Sequence, residues 1–96
     1  MTKADIVADI AEETGLERTE ALKAVESFMN AVKASLVKGE NVYLRGFGSF
    51  VVKERAEKTG RNISKNTTII IPAHNIPSFK PSKTFVEEVK SSIKVN

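Results

Sequence analysis

Between Arg55 and Thr68 the chain carries a single large apolar side chain, Ile63. A stretch with so little to bury can neither form a domain nor sit inside a core. It has to stand out from the body as an arm supported at both ends. Thr67 to Ile71 is strongly β-branched, a composition that suits a strand. The expectation is a β-ribbon in which this run pairs back with Lys53 to Lys58 and turns near Asn62 to Asn66.

The flanking segments must supply the body. Thr2 and Asp5 have the spacing of a capping box, and Ile6, Val7, Ile10 and Ala11 follow at helical intervals until Gly15. A second helix is expected from about Glu17 to Thr19. There Ala21, Leu22, Val25, Phe28, Met29, Val32 and Leu36 make a stripe at steps of three and four that ends at Gly39. Phe28, Met29 and Val32 have no polar neighbours that would suggest a ligand pocket, so the stripe reads as dimer core. A chain of 96 residues buries a smaller share of its surface than a larger domain does, and a core shared by two chains answers that shortage.

After Gly39 the apolar period changes to two. Val42 to Arg45 and Ser49 to Glu54 read as a hairpin about Gly46-Phe47-Gly48. Pro72, Pro77 and Pro81 are expected to interrupt the return path, with Phe79 anchored in the core between two of them. Ser82 is placed to cap a last helix carrying Phe85, Val86, Val89 and Ile93. The fold class is therefore α+β: a helical base (1–40), a sheet (41–54), an arm (55–75), and a return strand with a C-terminal helix (76–96).

Charge is divided unevenly along this plan. Residues 1–40 carry five Lys/Arg and eight acids, a net −3, whereas residues 41–96 carry ten Lys/Arg and four acids, a net +6. The second part has the field that draws a polyanion. The ribbon holds Arg55, Lys58, Arg61 and Lys65, with Lys53, Lys80 and Lys83 at or beyond its ends. Such a ribbon fits a groove of duplex DNA; on charge alone, a solvated surface hairpin is an equal reading.

Other chemistries find no support. There is no cysteine and one histidine, His74, so neither a CxxC nor an HxxxH metal pattern exists. Glu12-Glu13 and Glu87-Glu88 are adjacent on helices and diverge, which makes poor acid–base pairs. Neither a nucleophile elbow nor a phosphate-cradling glycine loop is present, and the expectation is no enzyme, no cofactor and no small-molecule substrate. Met1 to Asp5 lacks a long apolar signal core, and no apolar run reaches membrane-spanning length. A soluble, intracellular protein is expected.

Three blocks in order and spacing go further. Gly46-Phe47-Gly48-Ser49-Phe50, Arg55-Ala56-Glu57-Lys58-Thr59-Gly60-Arg61-Asn62 and Ile76-Pro77-Ser78-Phe79-Lys80-Pro81-Ser82-Lys83 resemble the HU and integration host factor family of bacterial nucleoid proteins over essentially the whole chain. The resemblance implies an intertwined homodimer or heterodimer with a helix-turn-helix base, a saddle of antiparallel sheet, protruding β-ribbon arms and a short C-terminal helix. It also implies a cytoplasmic, nucleoid-associated protein that binds the minor groove of double-stranded DNA largely without sequence specificity and bends it. By position, Arg55, Lys58, Arg61 and Asn62 match arm residues that contact the DNA backbone and minor-groove edges, and Lys80 and Lys83 the basic positions flanking the saddle; Lys53 and Lys65, a cation where the family has its Thr-Gly turn, are further candidates for DNA contact. Phe47, Phe50 and Phe79 would join Phe28, Met29 and Val32 in the dimer core rather than stack on bases.

The chain departs from the family's pattern at the ribbon's end. Ile63 stands where the family has proline; isoleucine can also wedge between base pairs, so Ile63 is expected to be the DNA wedge, though without proline's fixed φ. Asn66 takes a position that favours a left-handed conformation. Ile70 should lie on the face opposite Ile69 and Ile71, exposing an apolar side chain. His74 is expected to be an exposed or hydrogen-bonded loop residue, one that would add a pH-dependent phosphate contact if it were protonated beside DNA. Two other readings stand beside the favoured one: a sequence-preferring subunit like integration host factor, and a dimeric module that binds an acidic protein.

Overall fold

The computed structural model describes residues 1–62 and 67–95, with the side chains of Arg61 and Asn62 left aside. Helix α1 (Lys3–Thr14) begins at the capping box: the Thr2 side chain accepts from the Asp5 N–H, and Asp5 Oδ2 accepts from the Thr2 N–H at 2.9 Å. It ends at Gly15, whose φ of 79° lets its N–H reach the Ala11 carbonyl at 3.0 Å. Helix α2 (Arg18–Val37) folds back along α1, burying Val7 and Ala21 in the seam. Lys3 and Glu26 tie the two helices with an exposed ion pair at 3.0 Å.

Three strands follow in the order β1 (Val42–Leu44), β2 (Gly48–Arg55), β5 (His74–Pro81), all antiparallel. The arm is a separate two-stranded ladder, β3 (Lys58–Asn62) with β4 (Thr67–Ile71). This corrects the expected pairing: Thr67–Ile71 lies against Lys58–Asn62, and Lys53 instead faces Ile76. One register runs through both ladders, from Gly48 opposite Pro81 to Asn62 opposite Thr67. It is interrupted only where Ala56-Glu57 would meet Pro72-Ala73. Proline has no N–H to give the ladder, so Pro72 separates arm from sheet.

Pro77 and Pro81, expected to interrupt the return path, are accommodated inside β5. β5 pairs with β2 alone among the described strands, leaving its other edge outward. The two prolines are four residues apart and so have the same orientation, with the missing N–H on the open side, where an edge strand tolerates it. Helix α3 (Lys83–Ser92) starts at Ser82, whose hydroxyl accepts from the Phe85 N–H at 3.2 Å and donates to the Gly46 carbonyl at 3.1 Å. The Ser82 N–H donates to the Phe47 carbonyl at 2.9 Å, so the helix start is fastened to the β1–β2 turn.

Phe47 lies between Phe79 (5.0 Å between ring centres) and Phe85 (5.6 Å), and Phe79 also meets Phe50 at 5.0 Å. This aromatic cluster is open on one side. Phe28, Met29, Phe47 and Phe79 all remain more than a third exposed, and among the described hydrophobic residues only Val7 and Ala21 are buried. The radius of gyration is 18.8 Å, against about 12–13 Å for a compact domain of this length. The single chain is thus an extended body whose apolar side is left uncovered. No described helix is long and apolar enough to cross a membrane.

Candidate nucleic-acid interface

Residues opposite one another on an antiparallel ladder project to the same side, and successive residues alternate. The observed register therefore sorts β2 and β5 into two faces. One carries Gly48, Phe50, Val52 and Glu54 with Pro81, Phe79, Pro77 and Asn75. The Phe50–Phe79 ring contact belongs to this side, as does Gly48, where an added Cβ would lie 2.7 Å from the Phe79 ring and 2.5 Å from the Lys80 carbonyl oxygen. Glycine is required there by close approach.

The other face carries Ser49, Val51, Lys53 and Arg55 with Lys80, Ser78, Ile76 and His74, and Tyr43 of β1 lies beside Ser49. It holds three permanent cations and no acid, because Glu54, the one acidic residue of these two strands, projects to the opposite side. Lys53, Arg55 and Lys80 are exposed. Among the described residues the ion pairs are Lys3–Glu26 and Lys23–Glu20, both on the helices. The sheet's cations therefore have no described internal anion to neutralise them, which leaves their field directed outward.

Further cations lie beyond both ends of the β2–β5 ladder. Lys58 opens the arm opposite Ile71, and Lys83 opens α3, where the positive end of the helix dipole adds to the potential. Arg61 and Asn62 lie at arm positions opposite Thr68 and Thr67. Ile63 and Lys65, and with them the expected wedge, lie outside the described residues. Ile70 sits opposite Thr59 and is 65% exposed; Ile69 and Ile71 occupy the other side of the ribbon and are also exposed. The arm therefore offers apolar side chains on both faces along with its cations, a composition suited to a groove whose sugar walls are apolar and whose rims are phosphate.

His74 was expected in a loop but is the first residue of β5, directly opposite Arg55. It belongs to the cationic face, as do Ser49, Ser78 and Tyr43, none of which stood out by composition. The signal that finds them is strand parity combined with the ladder register. No cluster of three or more metal-ligating side chains occurs among the described residues.

Residues 1–90 match the family described as bacterial DNA-binding protein. The chain belongs to that family. The DNA-binding protein HU of Geobacillus stearothermophilus is 40% identical over 90 residues, covering 94% of this chain and all of that one. HU of Staphylococcus aureus strain COL is 42% identical with the same coverage. Among solved structures, Anabaena HU in a cocrystal with DNA superposes with a TM-score of 0.90 at 32% identity, covering 94% of this chain and 98% of that one. A mutant HU from Thermotoga maritima gives 0.72 at 26% identity, over 94% of this chain and all of that one. The α+β architecture expected from the sequence is that of these HU structures, and the cationic sheet and arm belong to a DNA-binding family fold.

Proposed function

We propose that this protein is an architectural double-stranded DNA-binding protein that works as a dimer, grips the minor groove largely without sequence specificity, bends the duplex and helps organise the nucleoid. The observation that carries the reading is the sorting of the β2–β5 sheet: cations without acids on one face, and uncovered aromatics on the other. The apolar face is what a second chain would cover, joining the aromatic cluster to Phe28, Met29 and Val32 of α2. Two cationic faces would then form one saddle with an arm at each side.

In this reading Lys53, Arg55, Lys80 and Lys83 hold phosphates along the saddle, while Lys58, Arg61, Asn62 and Lys65 follow the groove. Contacts of this kind position the duplex without reading it, and the minor groove offers only a degenerate code. Ile63 is assigned the wedge, where unstacking a base step costs a few kcal/mol and is offset by the added protein contact of a kinked duplex. The relatives reported above are named for HU rather than integration host factor or a protein-binding module, so neither alternative is favoured.

The test is a binding series with linear, nicked and four-way DNA at several salt concentrations. The five described cations Lys53, Arg55, Lys58, Lys80 and Lys83 would neutralise ten phosphates per dimer, for a log–log salt slope of about −9. A salt-independent affinity would overturn the reading. Recovery of a tight consensus from random fragments would move it toward the sequence-preferring alternative.

A further inference from the structure

His74 stands out on the cationic face because its charge is conditional. Its Nδ1 lies 2.9 Å from the Pro72 carbonyl oxygen. A carbonyl oxygen only accepts, so Nδ1 carries the hydrogen and Nε2 is left as the atom that takes up a proton from solvent. Pro72 is also the residue that breaks the ladder between sheet and arm. The hydrogen bond therefore fixes the imidazole ring at the junction where the duplex would pass from saddle to arm.

The charged surroundings are defined by the register. β2 is the one described strand paired with β5 at this point; it places Arg55 directly across from His74 and Lys53 one step along the same face. Glu54 lies on the opposite face beside Asn75, and Glu57 and Lys58 follow beyond the interruption. No acid of β2 or β5 shares the face of the ring, and Glu57, two residues beyond Arg55, is in neither of the described ion pairs, so a proton gained at Nε2 adds a cation to a surface that already carries Lys53 and Arg55. Histidine is the side chain whose charge ordinarily changes between pH 5 and 8, and a nearby phosphate favours its charged form.

We propose that His74 is a proton-gated phosphate contact: neutral in alkaline solution and, on taking a proton from solvent at Nε2, a partner of Arg55 on the same stretch of DNA backbone. The protein would then bind duplex more tightly as the medium acidifies. The inference rests on the DNA-binding reading above.

Each histidine that engages a phosphate adds about 0.9 to the salt slope, so the affinity at acidic pH would exceed that at pH 8 by up to about eightfold per histidine in 0.1 M salt, narrowing to about threefold in 0.3 M. The experiment measures duplex affinity of the full chain across salt at pH 6 and pH 8 for the wild type, His74→Ala and His74→Lys, with circular dichroism to verify folding. His74 is the sole histidine.

The expected result is a steeper salt slope at pH 6 for the wild type, loss of that pH difference in His74→Ala, and pH-independent tight binding in His74→Lys. A pH difference that persists in His74→Ala overturns the proposal, as does a His74→Lys protein no tighter than the wild type at pH 8. Both outcomes leave the DNA-binding reading standing. Wild-type protein that fails to bind duplex at either pH defeats that reading itself and the proposal with it.

Discussion

Replacing Phe28 by alanine removes a side chain that the single chain leaves 47% exposed. An aromatic side chain has roughly 200 Å² to bury, so if a second chain covers Phe28 it buries about 90 Å² there. At about 25 cal/mol per Å² this is about 2 kcal/mol per chain and about 4–5 kcal/mol per dimer, on the order of a thousandfold in dimer dissociation. Because Val7 and Ala21 are the only buried hydrophobic residues described, the separated chain has little core of its own, and dissociation should merge with unfolding. The assay is thermal unfolding across a wide range of protein concentration, with sedimentation equilibrium alongside. The wild-type midpoint should rise with concentration, and Phe28→Ala should lower it by about 10–20 °C at equal concentration. A wild-type midpoint independent of concentration, or a Phe28→Ala midpoint left in place, would refute the argument that the aromatic face belongs to an interface.

Further expectations concern single contacts. Gly48→Ala drives a Cβ against the Lys80 carbonyl oxygen and the Phe79 ring, and since backbone cannot swing aside, a loss of about 1–3 kcal/mol is expected in chemical denaturation. Ser82→Ala removes both the cap on the Phe85 N–H and the bond to the Gly46 carbonyl; about 1 kcal/mol of stability should go with the cap, read by the same denaturation. Lys53→Ala or Lys80→Ala should reduce the magnitude of the salt slope by about 1.8 per dimer while leaving unfolding within about 0.5 kcal/mol of wild type. Glu26→Gln breaks an ion pair whose two side chains are half exposed, and less than about 1 kcal/mol should follow. Ile63→Ala should lower the DNA bend angle measured by energy transfer between duplex ends, and an unchanged angle would remove the wedge.

Local interactions made much of this protein legible from residue order. The capping box at Thr2 and Asp5, the stops at Gly15 and Gly39, the apolar stripe of α2 and the Ser82 cap depend on neighbours within a turn of helix, so spacing alone places them. The poverty of large apolar residues from Arg55 to Thr68 likewise implies a projecting ribbon, and the asymmetric charge of residues 41–96 gives the field that draws a polyanion, though a solvated hairpin answers to charge alone equally well. The three sequence blocks added the family, which was then established by the match over residues 1–90.

Pairing register was decided by the tertiary structure. A slip of one residue turns every side chain of a strand to the other face, and the ribbon sequence contains nothing local that fixes its partner. Once Lys53 lies opposite Ile76 and Arg55 opposite His74, the acid of β2 is turned away, the cations gather on one side, and a histidine that read as a loop residue joins them. Composition determined that this chain would have a basic arm and an incomplete core. Which side chains share the basic face followed only from the long-range pairing of β2 with β5.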